Sequence, residues 1–170
     1  MSHAEQDQLR SYLAAQSAKL SAAAIRDRVQ EAADEFLAAV RGVAEATARK
    51  APAEGEWSVA EVMDHVILTL EEVTAIMRTL AGGSRPARAM TIAAQPVRAA
   101  GLPFAELLDR LRLRQAAVSE FLDAERDEPH TDLRVSDNDF GEINWKGYAL
   151  ILRLHYKDHA QQVTKTVAAV

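Results

Sequence analysis

The sequence predicts an all-α protein, a four-helix bundle with a long connection between helices 2 and 3 and a short extra N-terminal helix. Glycine and proline, which interrupt helices, are few, with seven and five in 170 residues. The stretches between them are rich in Ala, Leu, Glu, Arg and Gln, which favour helix, and their apolar residues recur at helical spacing. Helices that each carry an apolar stripe are expected to bury it by packing as a bundle.

The N-terminal part contains the least certain helix boundary. Residues 4–49 hold no proline and a single glycine, Gly42. Their spacing predicts a short leading helix to about residue 18 and a first bundle helix over residues 21–48, although one bent helix would fit equally well. APAEGE at 51–56 is a linker. We expect one domain over residues 1–170, with residues 1–20 as an N-terminal extension.

The second bundle helix has the clearest start. SVAE at 58–61 is a capping box, in which the serine and glutamate side chains each satisfy a free backbone N–H. Gly82 suits a left-handed cap at the other end. The connection over residues 81–102 is long enough to contain a helical turn, and long connections often form lids or crossovers. It would let the third helix run parallel to the second.

The C-terminal half predicts two further helices. The third starts at Pro103, a favourable first position, and runs to about residue 125. Residues 126–143 are polar and loop-like, with a short extended segment over residues 133–135. Asn144 can then cap the last helix.

Composition excludes several classes of protein. The formal net charge of −5 argues against a nucleic-acid partner, which requires basic residues to neutralise phosphates. The absence of cysteine excludes disulfides and thiolate ligands, and fits a reducing compartment. MSHAEQDQLR lacks the apolar core of a signal peptide, and no run approaches membrane-spanning length. We therefore expect a cytoplasmic protein with no membrane partner.

Three histidines are candidate metal ligands. His155 and His159, in HYKDH, lie four residues apart on the last helix, about 6 Å along its axis and ~40° around it. Such a pair can share an ion, or can be two unrelated side chains on a wet helix face. His65, in VMDHVIL, lies on the mainly apolar side of the second helix. Three neutral imidazoles would leave positions open on zinc, nickel or ferrous iron, as a catalytic metal requires.

These motifs resemble a known family. W-S-x-x-E-x-x-x-H in WSVAEVMDH (57–65), followed by H-x-x-x-H in HYKDH (155–159), is similar to the DinB/YfiT-like superfamily of bacterial four-helix metalloproteins. The resemblance extends over residues 21–167. Because the matching histidines of that superfamily bind a divalent metal, it implies His65, His155 and His159 as ligands.

The resemblance also implies a function. The superfamily includes S-transferases and isomerases that use a low-molecular-weight thiol, so we expect a metal-activated thiolate that attacks a small electrophilic substrate. A metal-dependent hydrolase and a non-catalytic metal-binding or stress-response bundle are the alternatives. Related proteins often dimerise, and Ala-rich helix faces favour a homodimer.

Other polar residues are weaker candidates, because a solvated, charged surface explains them better than a role at the site. Side chains that could orient the metal-binding imidazoles are Glu61, Glu72 and Gln162. Arginines that could bind the carboxylate of a thiol cosubstrate are Arg85, Arg88, Arg98 and Arg153. Trp57 is expected to anchor the helix start, and His3 and His130 to lie apart from the site.

Overall fold

A computed structural model describes residues 3–87 and 102–170, and it confirms the all-α prediction. The helical turn considered within the long connection falls on residues 88–101, outside the described residues, as do Arg88 and Arg98. The described elements are α1 (His3–Lys19), α2 (Ala22–Val40), α3 (Glu45–Ala48), α4 (Val59–Ala81), α5 (Phe104–Ala124), β1 (Val135–Asp137), β2 (Gly141–Ile143) and α6 (Trp145–Ala169).

The bundle consists of α2, α4, α5 and α6. Helix α5 is antiparallel to α2, because Ser119 bonds to Gln30 at 2.9 Å while Gln115, earlier in α5, bonds to the later Ala33 carbonyl at 3.3 Å.

Helices α4 and α5 start at the same end of the bundle, because the first residue of α5, Phe104, bonds to Glu45 of α3, which precedes α4 in the chain. The two helices also advance together, since Arg114 of α5 pairs with Glu71 of α4 at 2.7 Å. Helices α4 and α5 are therefore parallel, as the long connection predicted.

The helix predicted over residues 21–48 is wrong in extent, because α2 ends at Val40. Gly42 has a φ of 82°, a left-handed conformation that glycine adopts without steric cost and that breaks the helix. The chain then forms the single turn of α3. At the other end, α1 and α2 are two separate helices, and the Ser21 side chain caps α2 by accepting a hydrogen bond from the Ala24 N–H at 3.2 Å.

The capping box of α4 is confirmed. The Glu61 carboxylate accepts the Ser58 backbone N–H at 2.8 Å, and the Ser58 hydroxyl accepts the Glu61 N–H at 3.3 Å. The C-terminal cap was predicted one residue too early, because Gly82 has a φ of −76° and the left-handed residue is Gly83, with a φ of 80°.

Side chains of α3 fix the start of α5. The Glu45 carboxylate accepts the Phe104 N–H at 2.7 Å, which satisfies a free donor at the helix N-terminus. Arg49 binds Glu45 at 2.7 Å and donates a second hydrogen bond to the Leu102 carbonyl. Pro103 is the N-cap rather than the first residue of the helix.

The loop before α6 contains an antiparallel hairpin, with Val135 opposite Ile143. The extended segment predicted over residues 133–135 shares only Val135 with β1, and β2 was missed because three residues carry too little periodicity to detect. Asn144 caps α6 as predicted, and its side chain accepts the Gly147 N–H at 3.0 Å.

Helix α6 lies at the centre of the core. Its large side chains Trp145, Tyr148 and Tyr156 are fully buried. Lys146 is also buried, at 3% exposure, and pairs with Glu128 at 2.7 Å. Within residues 3–87 and 102–170, no helix has the length and apolar character needed to cross a membrane.

Candidate functional site

Three imidazoles meet where α4 packs against α6. His65 comes from the second turn of α4 and is 4% exposed, and His155 and His159 are half-buried on the facing side of α6. The ring centroids are 4.9 Å apart for His65 and His155, 5.0 Å for His65 and His159, and 4.3 Å for His155 and His159. The structure thus brings together the three histidines singled out from the sequence.

The spacing of the ring nitrogens suits one metal ion. One nitrogen from each ring lies within 4.8 Å of the other two. Zinc–nitrogen bonds of about 2.0–2.1 Å require these atoms to approach within about 4 Å of each other, so binding needs only a small inward rotation of the rings. The cluster could therefore hold a metal ion.

His155 has an unsatisfied buried nitrogen. Its Nε2 atom is inaccessible to solvent and has no hydrogen-bond partner among the described residues. A buried polar atom in this state costs about 1–3 kcal/mol. Coordination to a cation would satisfy the lone pair, so the donor set fits a metal.

Gln162 fixes the orientation and tautomer of His159. The amide oxygen Oε1 of Gln162 lies 2.7 Å from Nδ1 of His159. Because an amide oxygen can only accept, the proton is on Nδ1 and the Nε2 lone pair is free to bind a metal. Gln162, one of the three candidates for orienting the imidazoles, therefore bonds to a ring of the cluster. Side chains three residues apart on a helix are neighbours, so the sequence spacing could have indicated this contact.

Glu61 does not have the orienting role considered for it, because its carboxylate is used in the capping box with Ser58. Glu72 is half-buried further along α4, and its role stays a prediction. Trp57 lies against the site rather than serving only as an anchor, since its ring centroid is 4.9 Å from that of His65.

Burial keeps the imidazoles of His155 and His159 neutral. It lowers the pKa of His155 well below the ordinary value, and the nearby His159 and His65 rings lower it further. Burial also lowers the pKa of His159, and this outweighs the opposing effects of Gln162 and Asp158. Neutral imidazole is the form that binds a metal, so His155 and His159 are ready to coordinate at neutral pH without losing a proton.

The two remaining histidines lie apart from the cluster, as expected. His3 is exposed at the start of α1. His130 packs against Gly83, at the far end of α4. At 1.5 Å per residue, Gly83 is about 27 Å along the helix from His65.

A cavity of about 540 Å³ adjoins the cluster. Two of its walls are residues that contact the histidines, namely Trp57 beside His65 and Gln162 beside His159. The remaining lining residues come from the linker before α4 and the end of α6: Pro52, Gly55, Glu56, Lys165, Thr166 and Ala169.

Of the arginines considered for a ligand's carboxylate, the two that the structure describes, Arg85 and Arg153, do not line this cavity. Arg153 donates to the Tyr12 hydroxyl at 3.4 Å and borders a different groove, between α1 and α6. Arg85 is exposed beyond the end of α4. Among the described residues, the cation that lines the cavity is Lys165. It was not predicted from the sequence, because no motif marks a lysine on an exposed helix face.

Fold and site together define a helical-bundle protein with a three-histidine cluster that could hold a metal ion beside a cavity. The DinB superfamily profile matches residues 28–163, most of the chain, and the protein belongs to this superfamily. No curated protein and no solved structure matches the chain significantly.

Proposed function

We propose that the protein is a divalent-metal-dependent enzyme that transfers a low-molecular-weight thiol to a small electrophilic molecule. The observation that carries the proposal is the convergence of His65, His155 and His159, with one nitrogen of each within 4.8 Å of the others. Zinc, nickel and ferrous iron all accept such a ligand set. Membership of the DinB superfamily supports the same reading.

The number of ligands favours catalysis over a purely structural metal. Within the described residues, no fourth histidine or carboxylate joins the three-histidine group. Structural zinc sites use four protein ligands, whereas catalytic sites use three and leave a position for water or substrate. Three histidines therefore support an open site, and a non-catalytic bundle is the weaker alternative.

The protein's own residues would hold and orient the reacting groups. An ion bound to the three histidines would act as a Lewis acid and keep a bound thiol as thiolate, the nucleophilic form, at neutral pH. Gln162 keeps the proton of His159 on Nδ1. Trp57 packs against His65, with ring centroids 4.9 Å apart, and would shield that side of the bound ion from water.

The thiol must come from a cosubstrate, because the chain contains no cysteine. In the transfer, the sulfur forms a bond to an electrophilic carbon of the second substrate. The leaving group departs with the electron pair of the broken bond, and the thiol proton goes to solvent. A homodimer and a cytoplasmic location stay predictions from the sequence.

Metal content and thiol turnover test the proposal together. We expect about one divalent ion per chain, by elemental analysis, and consumption of a small thiol with the electrophile monochlorobimane. His155→Ala and His159→Ala should lose both the metal and the turnover, and His130→Ala, remote from the cluster, should retain both. If metal-replete protein consumes no thiol with a panel of electrophiles but hydrolyses esters or amides, the enzyme is a hydrolase and not a transferase.

A further inference from the structure

A groove between α1 and α6 lies away from the histidine cluster. Its volume is about 510 Å³, and its walls are Glu5, Gln8, Leu9, Tyr12, Arg153 and Leu154. Arg153 precedes His155 by two residues on α6, a rotation of about 200° around the helix axis. The two side chains therefore point to opposite sides of α6, and no residue lines both this groove and the cavity beside the histidines.

Arg153 differs from the other arginines that the structure describes. Its side chain is half-buried, and its Nε atom is inaccessible to solvent and has no hydrogen-bond partner within the described ranges. No carboxylate of those ranges forms an ion pair with it, whereas the half-buried Arg49 and Arg114 each bind one at 2.7 Å. A cation that water reaches on only part of its surface and that has no counter-ion attracts an anion more strongly than a hydrated one.

Tyr12 supplies a second donor next to Arg153. The Tyr12 hydroxyl accepts a hydrogen bond from Nη1 of Arg153 at 3.4 Å, and its own proton has no acceptor among residues 3–87 and 102–170. Two donors thus lie side by side in the wall of one groove. The two oxygens of a carboxylate can accept from both, through charge-assisted hydrogen bonds. Leu9 and Leu154, which are half-buried and packed against the core, form the apolar part of the same wall.

We propose that this groove is a binding site for a small monocarboxylate with an apolar body. Arg153 and Tyr12 bind the carboxylate, and Leu9 and Leu154 contact the hydrocarbon part. Glu5, in the wall of the groove, disfavours anions of higher charge such as phosphate, because like charges repel. The site uses neither the histidines nor a metal, so it is independent of the proposed thiol transfer.

Three simple probes test the class of ligand. Hexanoate has the charge and the apolar body, hexanol has the same chain length without the charge, and inorganic phosphate has charge without an apolar body. Each is titrated into the full chain, and binding is followed by the shifts of backbone amide signals in NMR spectra. We expect hexanoate to saturate and to shift signals of α1 and of α6 around Arg153, and we expect hexanol and phosphate to bind more weakly.

Variants of the two donors test the assignment of residues. Arg153→Gln should weaken hexanoate binding about tenfold and leave hexanol binding unchanged, and Tyr12→Phe should weaken hexanoate binding about threefold. The matched control is Arg28→Gln, because Arg28 is also half-buried and donates to a neutral oxygen, that of Gln16, at 3.4 Å, but lies outside the groove. If Arg153→Gln does not fold, Tyr12→Phe and the preference of the parent protein for hexanoate over hexanol decide the result.

Two further variants show whether the carboxylate binds beside the histidines instead. Lys165→Gln changes the cavity there and His159→Ala the cluster, and both should bind hexanoate like the parent protein. Hexanoate binding that is lost in either of them and retained in Arg153→Gln would overturn the inference and leave the proposed function untouched. Equal binding of hexanoate and hexanol, or equal effects of Arg153→Gln and Arg28→Gln, would overturn it as well.

Discussion

The Nδ1 atom of His159 and the Oε1 atom of Gln162 lie 2.7 Å apart, one helical turn from each other on α6. This bond determines which ring nitrogen is available, because the proton it requires on Nδ1 leaves the Nε2 lone pair for the cluster. Metal-binding imidazoles generally donate their second N–H in this way. Gln162 is thus a positioning residue for the three-histidine group.

Removing the Gln162 acceptor should weaken metal binding. We expect Gln162→Leu to lower the affinity about tenfold or more, because His159 loses the partner that fixes its tautomer and ring orientation. Gln162→Glu, which keeps an acceptor, should restore it. Titration against a chelator measures the affinity, and Gln161→Leu, at an exposed neighbouring position, is the control. Equal affinities for Gln162→Leu and Gln161→Leu would remove Gln162 from this role.

Trp57 should report metal binding through its fluorescence. The sequence has two tryptophans, so Trp145→Phe leaves Trp57 as the only one, with its ring 4.9 Å from His65. Co²⁺ absorbs weakly and is paramagnetic, and at this range it should quench the Trp57 emission. Zn²⁺, with a filled d shell, should not. In Trp57→Phe the remaining Trp145, about 15 Å from His155 along α6, should respond far less. Equal quenching in the two variants would place the ion elsewhere.

The metal-free protein should lose stability on mild acidification. Burial holds the pKa of His155 well below its unfolded value of 6.5. Between these two pKa values the unfolded chain binds the proton and the folded chain does not, so stability is complete above pH 6.5 and falls as the pH decreases below it. His155→Gln should reduce this dependence, and the part that remains comes from His159, whose pKa burial also lowers. Urea midpoints measured from pH 7.5 downward test it, and parallel profiles for the two proteins would contradict the assignment.

Removing the hydroxyl from each of two buried tyrosines of α6 should have opposite effects on the stability of the protein. The Tyr148 hydroxyl donates to the buried Asp137 carboxylate at 3.2 Å, so Tyr148→Phe should cost about 1–2 kcal/mol of unfolding free energy. The Tyr156 hydroxyl is buried and forms no hydrogen bond with the described residues. Burial raises the pKa of Tyr156 far above the ordinary value, and this outweighs the nearby Gln115 side chain, which lowers the pKa. The Gln115 amide donates its hydrogen bond to the Ala33 carbonyl.

Tyr156→Phe therefore removes an unsatisfied polar atom and should leave stability unchanged or raise it by about 1 kcal/mol. Urea denaturation of both variants gives the comparison. A loss for Tyr156→Phe as large as that for Tyr148→Phe would mean that the Tyr156 hydroxyl has a partner, such as a buried water.

Local signals in the sequence were sufficient to predict most of the helices. The capping box at Ser58 and the cap at Asn144 were predicted because both depend on residues within one turn of each other. The parallel arrangement of α4 and α5 followed from the length of the connection between them. The break at Gly42 was not predicted, because a single glycine within a helical pattern does not show whether the chain turns there.

The sequence by itself determined the all-α class, the superfamily and the three histidines worth examining, since these depend on periodicity, caps and spacing along the chain. Only the tertiary structure decided that the three rings meet, that Glu61 is used by the cap rather than by His65, and that Lys165 lines the cavity while Arg85 and Arg153 do not. The physical reason is that contacts between α4 and α6 depend on how the helices pack and rotate, and spacing within one helix does not fix either.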